Sequence, residues 1–374
     1  MRVIDRIAVS GYRSIRSIIL QLGQLTVITG ANGTGKSNLY RALKLIADAA
    51  AGRLGESIAR EGGFESILWA GVKKNKKDPV AVRLGFTADP YSYCFDLGLP
   101  VPMHSAFDGD PEMKRECLWR GVGMDPKALC VDRKVRTLRC RGGSGKWEDV
   151  DLPLSRHGSM LSEYSDPFNA PELVVMRELI CSWRFYDTFR VDADSPARRT
   201  SIATFTPVMA SDGRDLVAAL QTIFEIGDAD GLLDAIDDAF PGSILKIDCL
   251  DSGLQASLQQ PGIKRDLTAS ELSDGTLRYL LLVAALLTPR PPALFVLNEP
   301  ENSLHPELMP SLAKLIKKAA ENSQIVVVSH SARLVELLEE DDVCVPIQLE
   351  KVGGETVIAG GDLLSQYGWK WPSR

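Results

Sequence analysis

The sequence predicts an α/β fold built around a mostly parallel sheet, and three observations carry that prediction. From Asp274 to Glu339 helix-like and strand-like stretches alternate in an αβαβα series. The octapeptide Gly30-Ala31-Asn32-Gly33-Thr34-Gly35-Lys36-Ser37 stands between an apolar run, Leu25 to Thr29, and the helix-like Asn38 to Ala50. Apolar residues also alternate with polar ones near the start of the chain and from Pro79 to Leu99, which marks antiparallel strands.

Taken in order, Arg6 to Ser10 and Ser17 to Leu22 carry Val and Ile at their apolar positions and read as two short strands at a sheet edge. Val80, Val82, Leu84 and Phe86, then Tyr93, Phe95 and Leu97, give a hairpin its buried face. The stretch from Pro100 to Ser201 mixes Gly, Pro and charge around strand-like pieces near Leu118 and Val135, and reads as an insertion or subdomain. After Asp212-Gly213 come helices at Arg214 to Phe224 and Gly231 to Phe240 and a strand at Ile244 to Leu250. The αβαβα series then places helices at Asp274 to Leu287, Leu308 to Ala320 and Ala332 to Glu339, around strands Leu294 to Leu297 and Ile325 to Ser329. No repeat or long heptad run interrupts this. The expected division is an N-terminal lobe at 1–110, a middle region at 111–200 and a C-terminal lobe at 201–374. In such sheets ligands gather at the carboxyl ends of the strands.

Composition sets limits on function. With 374 residues, 45% of them hydrophobic, the chain is long enough for a large core. A net charge of −6 argues against a surface that coats nucleic acid or anionic membrane over its whole extent, and leaves room for local patches. Seven cysteines, an odd number without a Cys-x-x-Cys pair, fit a reduced interior and a cytoplasmic protein. The first residues, Met1 to Arg6, lack the apolar core of a signal peptide. The most apolar run, Tyr279 to Leu287, sits between Arg278 and Pro289 and is too short to span a membrane, so it reads as a buried helix.

The octapeptide has the chemistry of a phosphate-binding loop. Its glycines let backbone N–H groups converge on phosphates, Lys36 reaches the β and γ oxygens, Ser37 ligates Mg²⁺, and the next helix turns its positive end to the anion. The strand before it and the helix after it set it apart from a chance glycine-rich turn. Leu294 to Leu297 runs into Asn298-Glu299-Pro300-Glu301, where Glu299 reads either as a carboxylate that activates a water or as a solvated acid in an ordinary turn. Leu272-Ser273-Asp274-Gly275 precedes a helix that Ser273 caps, and the N–H groups there suit a phosphate as well as a cap. His330 ends the strand Ile325 to Ser329, placed either to touch a γ-phosphate or to satisfy itself locally.

In this order the four elements resemble the head of ATP-binding-cassette ATPases. Tyr12-Arg13-Ser14, Ala31-Asn32-Gly33-Thr34-Gly35-Lys36-Ser37-Asn38 and Asn298-Glu299-Pro300-Glu301-Asn302-Ser303-Leu304-His305-Pro306 are similar to the RecF/SMC/OLD branch rather than to transporter subunits. The resemblance spans Met1 to Asp110 and Ser201 to Glu350. It implies a P-loop NTPase of the ABC-head type, with a mixed sheet, an antiparallel β subdomain and a helical lobe. It further implies an ATP-dependent homodimer with two sandwiched ATP molecules, each held by one chain's loop and the other chain's Ser273, Asp274 and Gly275. Nucleotide contacts fall on Gly30, Asn32, Gly33, Thr34, Gly35, Lys36, Ser37 and Asn38, and Mg²⁺ on Ser37 and Asn298. Glu299 is then the catalytic base, His330 the γ-phosphate sensor and Lys36 the phosphate clamp. Arg13 is either a further nucleotide contact or a surface arginine.

Two departures matter. The branch usually has Asp where Asn298 stands; an amide oxygen accepts a hydrogen bond from Mg²⁺-bound water but brings no charge, so weaker metal binding and slow turnover are expected. The long coiled-coil arm is absent, and the stretch after His330 is too short for a TOPRIM nuclease, so an effector is expected on a separate chain. Between Lys114 and Lys146 ten Lys or Arg face three acids, and Lys73-Lys74-Asn75-Lys76-Lys77 adds a second basic point. These read as a face for duplex DNA or as solvated hairpin surfaces. Two functions follow: a DNA-associated ATPase of repair or genome maintenance, or an ATP-dependent sensor or scaffold of an anti-phage defence or toxin-type system.

Overall fold

The computed structural model describes residues 4–71, 80–102, 104–142, 145–340, 342–361 and 369–374, so the basic run Lys73 to Lys77 lies outside the described residues. The chain forms two compact units, both discontinuous in sequence. One comprises Met1–Gly23, Ile28–Trp183 and Ile347–Arg374, the other Gln24–Val27 and Arg184–Pro346.

The first unit is dominated by an antiparallel sheet of eight strands. Its strands are β1 (Ile4–Tyr12), β2 (Ile15–Gln21), β4 (Val82–Ala88), β5 (Tyr91–Gly98), β6 (Glu112–Arg120), β7 (Leu129–Lys134), β8 (Thr137–Arg141) and β9 (Trp147–Val150), in the order β2-β1-β4-β5-β6-β7-β8-β9, while β3 (Leu25–Gly30) belongs elsewhere. Only β2 of the first pair is an edge; β1 lies between β2 and β4. The hairpin expected from Pro79 to Leu99 is β4 and β5, and β6 to β9 extend the same sheet. The strand-like pieces near Leu118 and Val135 are β6 and the pair β7 and β8, with Val135 in the turn between the last two at a φ of 50°.

Both faces of β4 and β5 are covered. Val82, Leu84 and Phe86 are buried on one side. On the other, Ala8, Cys94, Cys117, Trp119 and Trp369 form a cluster, with the Trp119 and Trp369 rings 5.5 Å apart. Arg374 then binds Asp96 through Nη2 and Oδ1 at 2.6 Å. The helices α1 (Lys36–Ala50), α2 (Leu54–Arg60), α3 (Phe64–Ile67), α4 (Met160–Glu163) and α5 (Pro171–Ser182) complete this unit, with α1 packed on α2, α4, α5, β1 and β4.

In the second unit β10 (Arg184–Tyr186), β14 (Leu294–Asn298) and β15 (Gln324–Val328) run parallel, with the start of β3 beside β15. The helices α6 (Leu216–Ile226), α7 (Ala229–Ala239), α8 (Asp274–Leu286), α9 (Met309–Ala320) and α10 (Ala332–Glu339) share one apolar core with these strands. Every residue of α8 from Leu277 to Leu286 is buried, which accounts for the apolar run in the sequence. A three-stranded antiparallel sheet, β11 (Ile244–Leu250), β12 (Gly253–Gln259) and β13 (Leu267–Thr268), precedes α8. The hairpin of β16 (Cys344–Val352) and β17 (Glu355–Ile358) returns the chain to the first unit, where it lies beside the end of β3. Among the described residues no helix is long and apolar enough to cross a membrane, and all seven cysteines are free.

Candidate active site

In the first unit β3 ends in Gly30 and the loop closes into α1 at Lys36. Gly30 and Gly35 have φ values of 149° and 105°. A Cβ at Gly30 would collide with the Leu349 carbonyl oxygen, and one at Gly35 with the Thr356 hydroxyl, so only glycine fits either place. Gly35 is also the N-cap of α1 and offers no side chain to the first turn, leaving the helix's positive end uncapped. The Lys36 ammonium folds over the loop, donating to the carbonyls of Gly30 at 2.6 Å and Ala31 at 3.1 Å. Asn32, Gly33 and Ser37 are exposed, and the Thr34 hydroxyl donates to the Ala31 carbonyl at 2.9 Å. Backbone cradle, helix terminus and a lysine folded over the loop together suit a nucleotide's phosphates.

A one-way chain of hydrogen bonds holds this loop from behind. The Asn38 amide donates to Ser14 Oγ at 2.7 Å, Ser14 Oγ and Thr356 Oγ1 lie 2.7 Å apart, and the Thr356 hydroxyl donates to the Thr34 carbonyl at 2.7 Å. Asn38 thus anchors the loop from inside α1. Arg13 has a φ of 49°. Its guanidinium pairs with Glu61 at 2.7 Å. The buried Tyr12 hydroxyl shares that carboxylate, and burial and Glu61 together raise its pKa.

In the second unit β14 delivers Asn298 and Glu299. Glu299 has a φ of 50°, a conformation costly for a residue with a side chain, and its N–H is held by the Val328 carbonyl at 2.7 Å. Its carboxylate lies 3.1 Å from His330 Nε2 and accepts from the Asn302 amide at 2.6 Å. The structure therefore brings the expected base and the expected sensor into contact. Glu301 fixes the backbone beneath His330: its Oε1 accepts from Ser329 Oγ at 2.7 Å, from the His330 N–H at 2.7 Å and from the Ser331 N–H at 3.1 Å.

Asn298 donates through Nδ2 to Asp187 Oδ1 at 2.8 Å, while its Oδ1 is buried without a hydrogen-bond partner. An orphaned amide oxygen at the end of this strand fits an acceptor for a metal-bound water. Arg278, on α8, donates through Nη2 to the backbone carbonyls of Asp187 at 3.4 Å and Glu299 at 3.3 Å. Burial pulls its pKa below the usual arginine value, against the attraction of Asp187, Glu301 and Glu299. Ser273 caps α8, accepting from the Thr276 N–H at 3.1 Å. Arg198 braces the same turn, pairing with Asp274 at 2.6 Å and donating to the Leu272 carbonyl at 2.6 Å. A Cβ at Gly275 would come 3.2 Å from the Ser303 carbonyl oxygen.

A family model described as "AAA domain, putative AbiEii toxin, Type IV TA system" matches residues 25–336. The chain belongs to this AAA family. No curated protein matches it significantly. Among solved structures, an Smc head bound to the C-winged helix domain of ScpA aligns with a TM-score of 0.55 and 14% identity over 95% of this chain and 96% of that one. An Smc head domain with an extended coiled coil, bound to the C-terminal domain of ScpA and derived from Pyrococcus furiosus, gives 0.51 and 14% over 96% of each chain. This AAA protein thus has the fold of SMC heads, the mixed α/β fold of ABC-type P-loop ATPases. Its family is one of nucleotide-hydrolysing ATPases, a type that uses ATP and typically Mg²⁺.

Several residues around the phosphate loop of one unit and around Asn298 of the other escaped the sequence. Ser14 and Thr356 are far apart in the chain, Asp187 follows a strand only 3 residues long, and Arg198 sits in the illegible middle. Half of the basic stretch, in turn, is held in ion pairs. Lys114 pairs with Glu112, Arg115 and Arg139 with Asp132, Arg120 with Glu172 and Arg133 with Glu116. Lys127, Lys134, Arg136 and Lys146 are exposed.

Proposed function

We propose that this AAA chain is an ATP-hydrolysing switch that binds ATP and Mg²⁺, pairs with a second copy when loaded, and acts on a separate effector protein in a toxin-type system. Gly30 to Ser37 hold the phosphates, with Lys36 moving its ammonium from the loop carbonyls to the anion and Ser37 toward Mg²⁺. Asn298 accepts from metal-bound water. Mg²⁺, when bound, neutralises charge on the transferring phosphoryl group. Glu299 orients the attacking water and takes its proton, His330 reads the γ-phosphate, and Ser273, Asp274 and Gly275 close on the nucleotide of the partner copy.

The observation that carries this reading is the Glu299 carboxylate, placed by a strained backbone and fixed between His330 and Asn302. Such fixation is what a general base needs, since it must stand within hydrogen-bond reach of the water it deprotonates. The family description favours the toxin-type setting, and the five basic residues committed to ion pairs weaken a DNA-tracking face. A DNA-associated role in repair or genome maintenance is the second reading, favoured by the exposed Lys127, Lys134, Arg136 and Lys146.

The test is steady-state ATP turnover over a range of protein concentrations, with and without duplex DNA. We expect a rate per chain that rises with concentration, is indifferent to DNA, vanishes in Lys36→Ala, and falls by about 10²–10⁴-fold in Glu299→Gln while ATP binding persists. Stimulation by DNA moves the reading to the second function. Turnover untouched by Glu299→Gln removes Glu299 as the base.

A further inference from the structure

We propose that Asp187 carries the negative charge that Asn298 lacks, so that the metal site of this chain keeps its carboxylate on the strand next door. This rests on the reading of the site as one for Mg²⁺ and ATP. The two strands β10 and β14 are parallel, with Tyr186 opposite Leu297, so the following residues, Asp187 and Asn298, emerge side by side at the carboxyl end of the sheet. The Asn298 amide has only one orientation that satisfies this neighbour. Its N–H₂ turns to Asp187 Oδ1 at 2.8 Å, and its oxygen is thereby turned away, buried and unpaired. Besides Asn298, Asp187 Oδ1 accepts from the Thr188 hydroxyl at 3.4 Å, while Oδ2 has no protein partner among the described residues, and the side chain is exposed. The nearby Arg278 binds the backbone carbonyl of Asp187 through Nη2.

Chemistry makes the two positions interdependent. Mg²⁺ takes oxygen ligands and is held in phosphate sites by one or two carboxylates, directly or through its waters, so a neutral amide alone leaves the ion under-neutralised. An aspartate at 298 beside Asp187 would set two carboxylates within hydrogen-bond distance, and one of them would resist ionisation. Asn298 is therefore the residue that a carboxylate at 187 permits: it bonds Asp187 and still offers an oxygen. In this view Asn298 moves the charge by one strand without removing it, and the slow, weakly metallated site expected from the sequence gives way to one of ordinary affinity.

The experiment is a titration of Mn²⁺, followed by the electron paramagnetic resonance of the free ion, in the presence of a non-hydrolysable ATP analogue. Four proteins are compared: wild type, Asp187→Asn, Asn298→Asp, and the exchanged pair Asp187→Asn with Asn298→Asp. We expect Asp187→Asn to weaken Mn²⁺ binding by about 10–100-fold, the range found when groups that orient metal ligands are removed. Asn298→Asp alone should bring no gain, and the exchanged pair should return toward the wild-type affinity. Analogue affinity in EDTA, equal in all four, shows that each variant folds. Unchanged Mn²⁺ affinity in Asp187→Asn, or an exchanged pair no better than Asp187→Asn, overturns the proposal while leaving the ATP site intact. If the wild type binds no analogue in a Lys36-dependent way, the reading of the whole site falls with it.

Discussion

Thr356 has a single proton to give and gives it to the Thr34 carbonyl, which makes it the last link in a relay that begins at the Asn38 amide. Thr356→Val keeps the shape and removes the hydroxyl, leaving the Ser14 hydroxyl and the Thr34 carbonyl without that partner. Losing one side of a buried hydrogen bond costs about 1–3 kcal/mol. Urea denaturation should show a loss of that order, and ATP affinity should fall with it because the loop is no longer held from behind; unchanged affinity would mean that the relay serves stability alone. At this scale the sequence is legible wherever one segment holds all the chemistry, as in Gly30 to Ser37. It is silent where a partner comes from afar, because the Thr34–Thr356 bond joins residues 322 positions apart. Arg13 shows a further limit: the chain offered two readings, and in the folded protein its guanidinium is paired with Glu61.

Among the elements, β6 and β7 are joined to the segment that enters α4 by one buried carboxylate. Glu116 accepts from the Tyr93 hydroxyl at 2.5 Å, from Ser159 Oγ, from the Met160 N–H at 2.7 Å and from Arg133 Nη1 at 3.1 Å. Arg133 and Glu116 are both 0% exposed. Removing one partner of such a pair leaves an uncompensated charge, so Glu116→Ala should destabilise the protein by about 3–5 kcal/mol in guanidinium titration. A loss below about 1 kcal/mol would show that water reaches Arg133. This network explains why the middle of the chain resisted reading. Its charges suggested a solvated or DNA-facing surface, whereas five of its cations are bound to acids of the same unit. The short β10 was invisible for another reason, since three residues are too few to establish a period. By contrast the αβαβα series was plain, because α8 and α9 with β14 and β15 are long enough to show their apolar faces.

For the whole molecule, the proposed pairing of two chains makes a prediction about mass. Glu299→Gln, which keeps ATP bound, should sediment as a dimer with ATP and Mg²⁺ and as a monomer without. Adding Ser273→Arg, at the cap of α8, should leave the loop's ATP binding intact and abolish the dimer. A dimer that survives Ser273→Arg would place the interface elsewhere. Fold class was the most legible property at this scale because it depends on the order of elements.

The interleaving of the two units bears on how the protein is made. The phosphate loop leaves the ribosome first, but Thr356, which backs it from the segment Ile347–Arg374, lies 322 residues beyond Thr34 and emerges that much later. Translation runs at about 5–20 residues per second, so the loop waits many seconds for its support. A nascent chain stalled before Thr356 should be unable to hold ATP, and the switch is armed only once Thr356 has emerged.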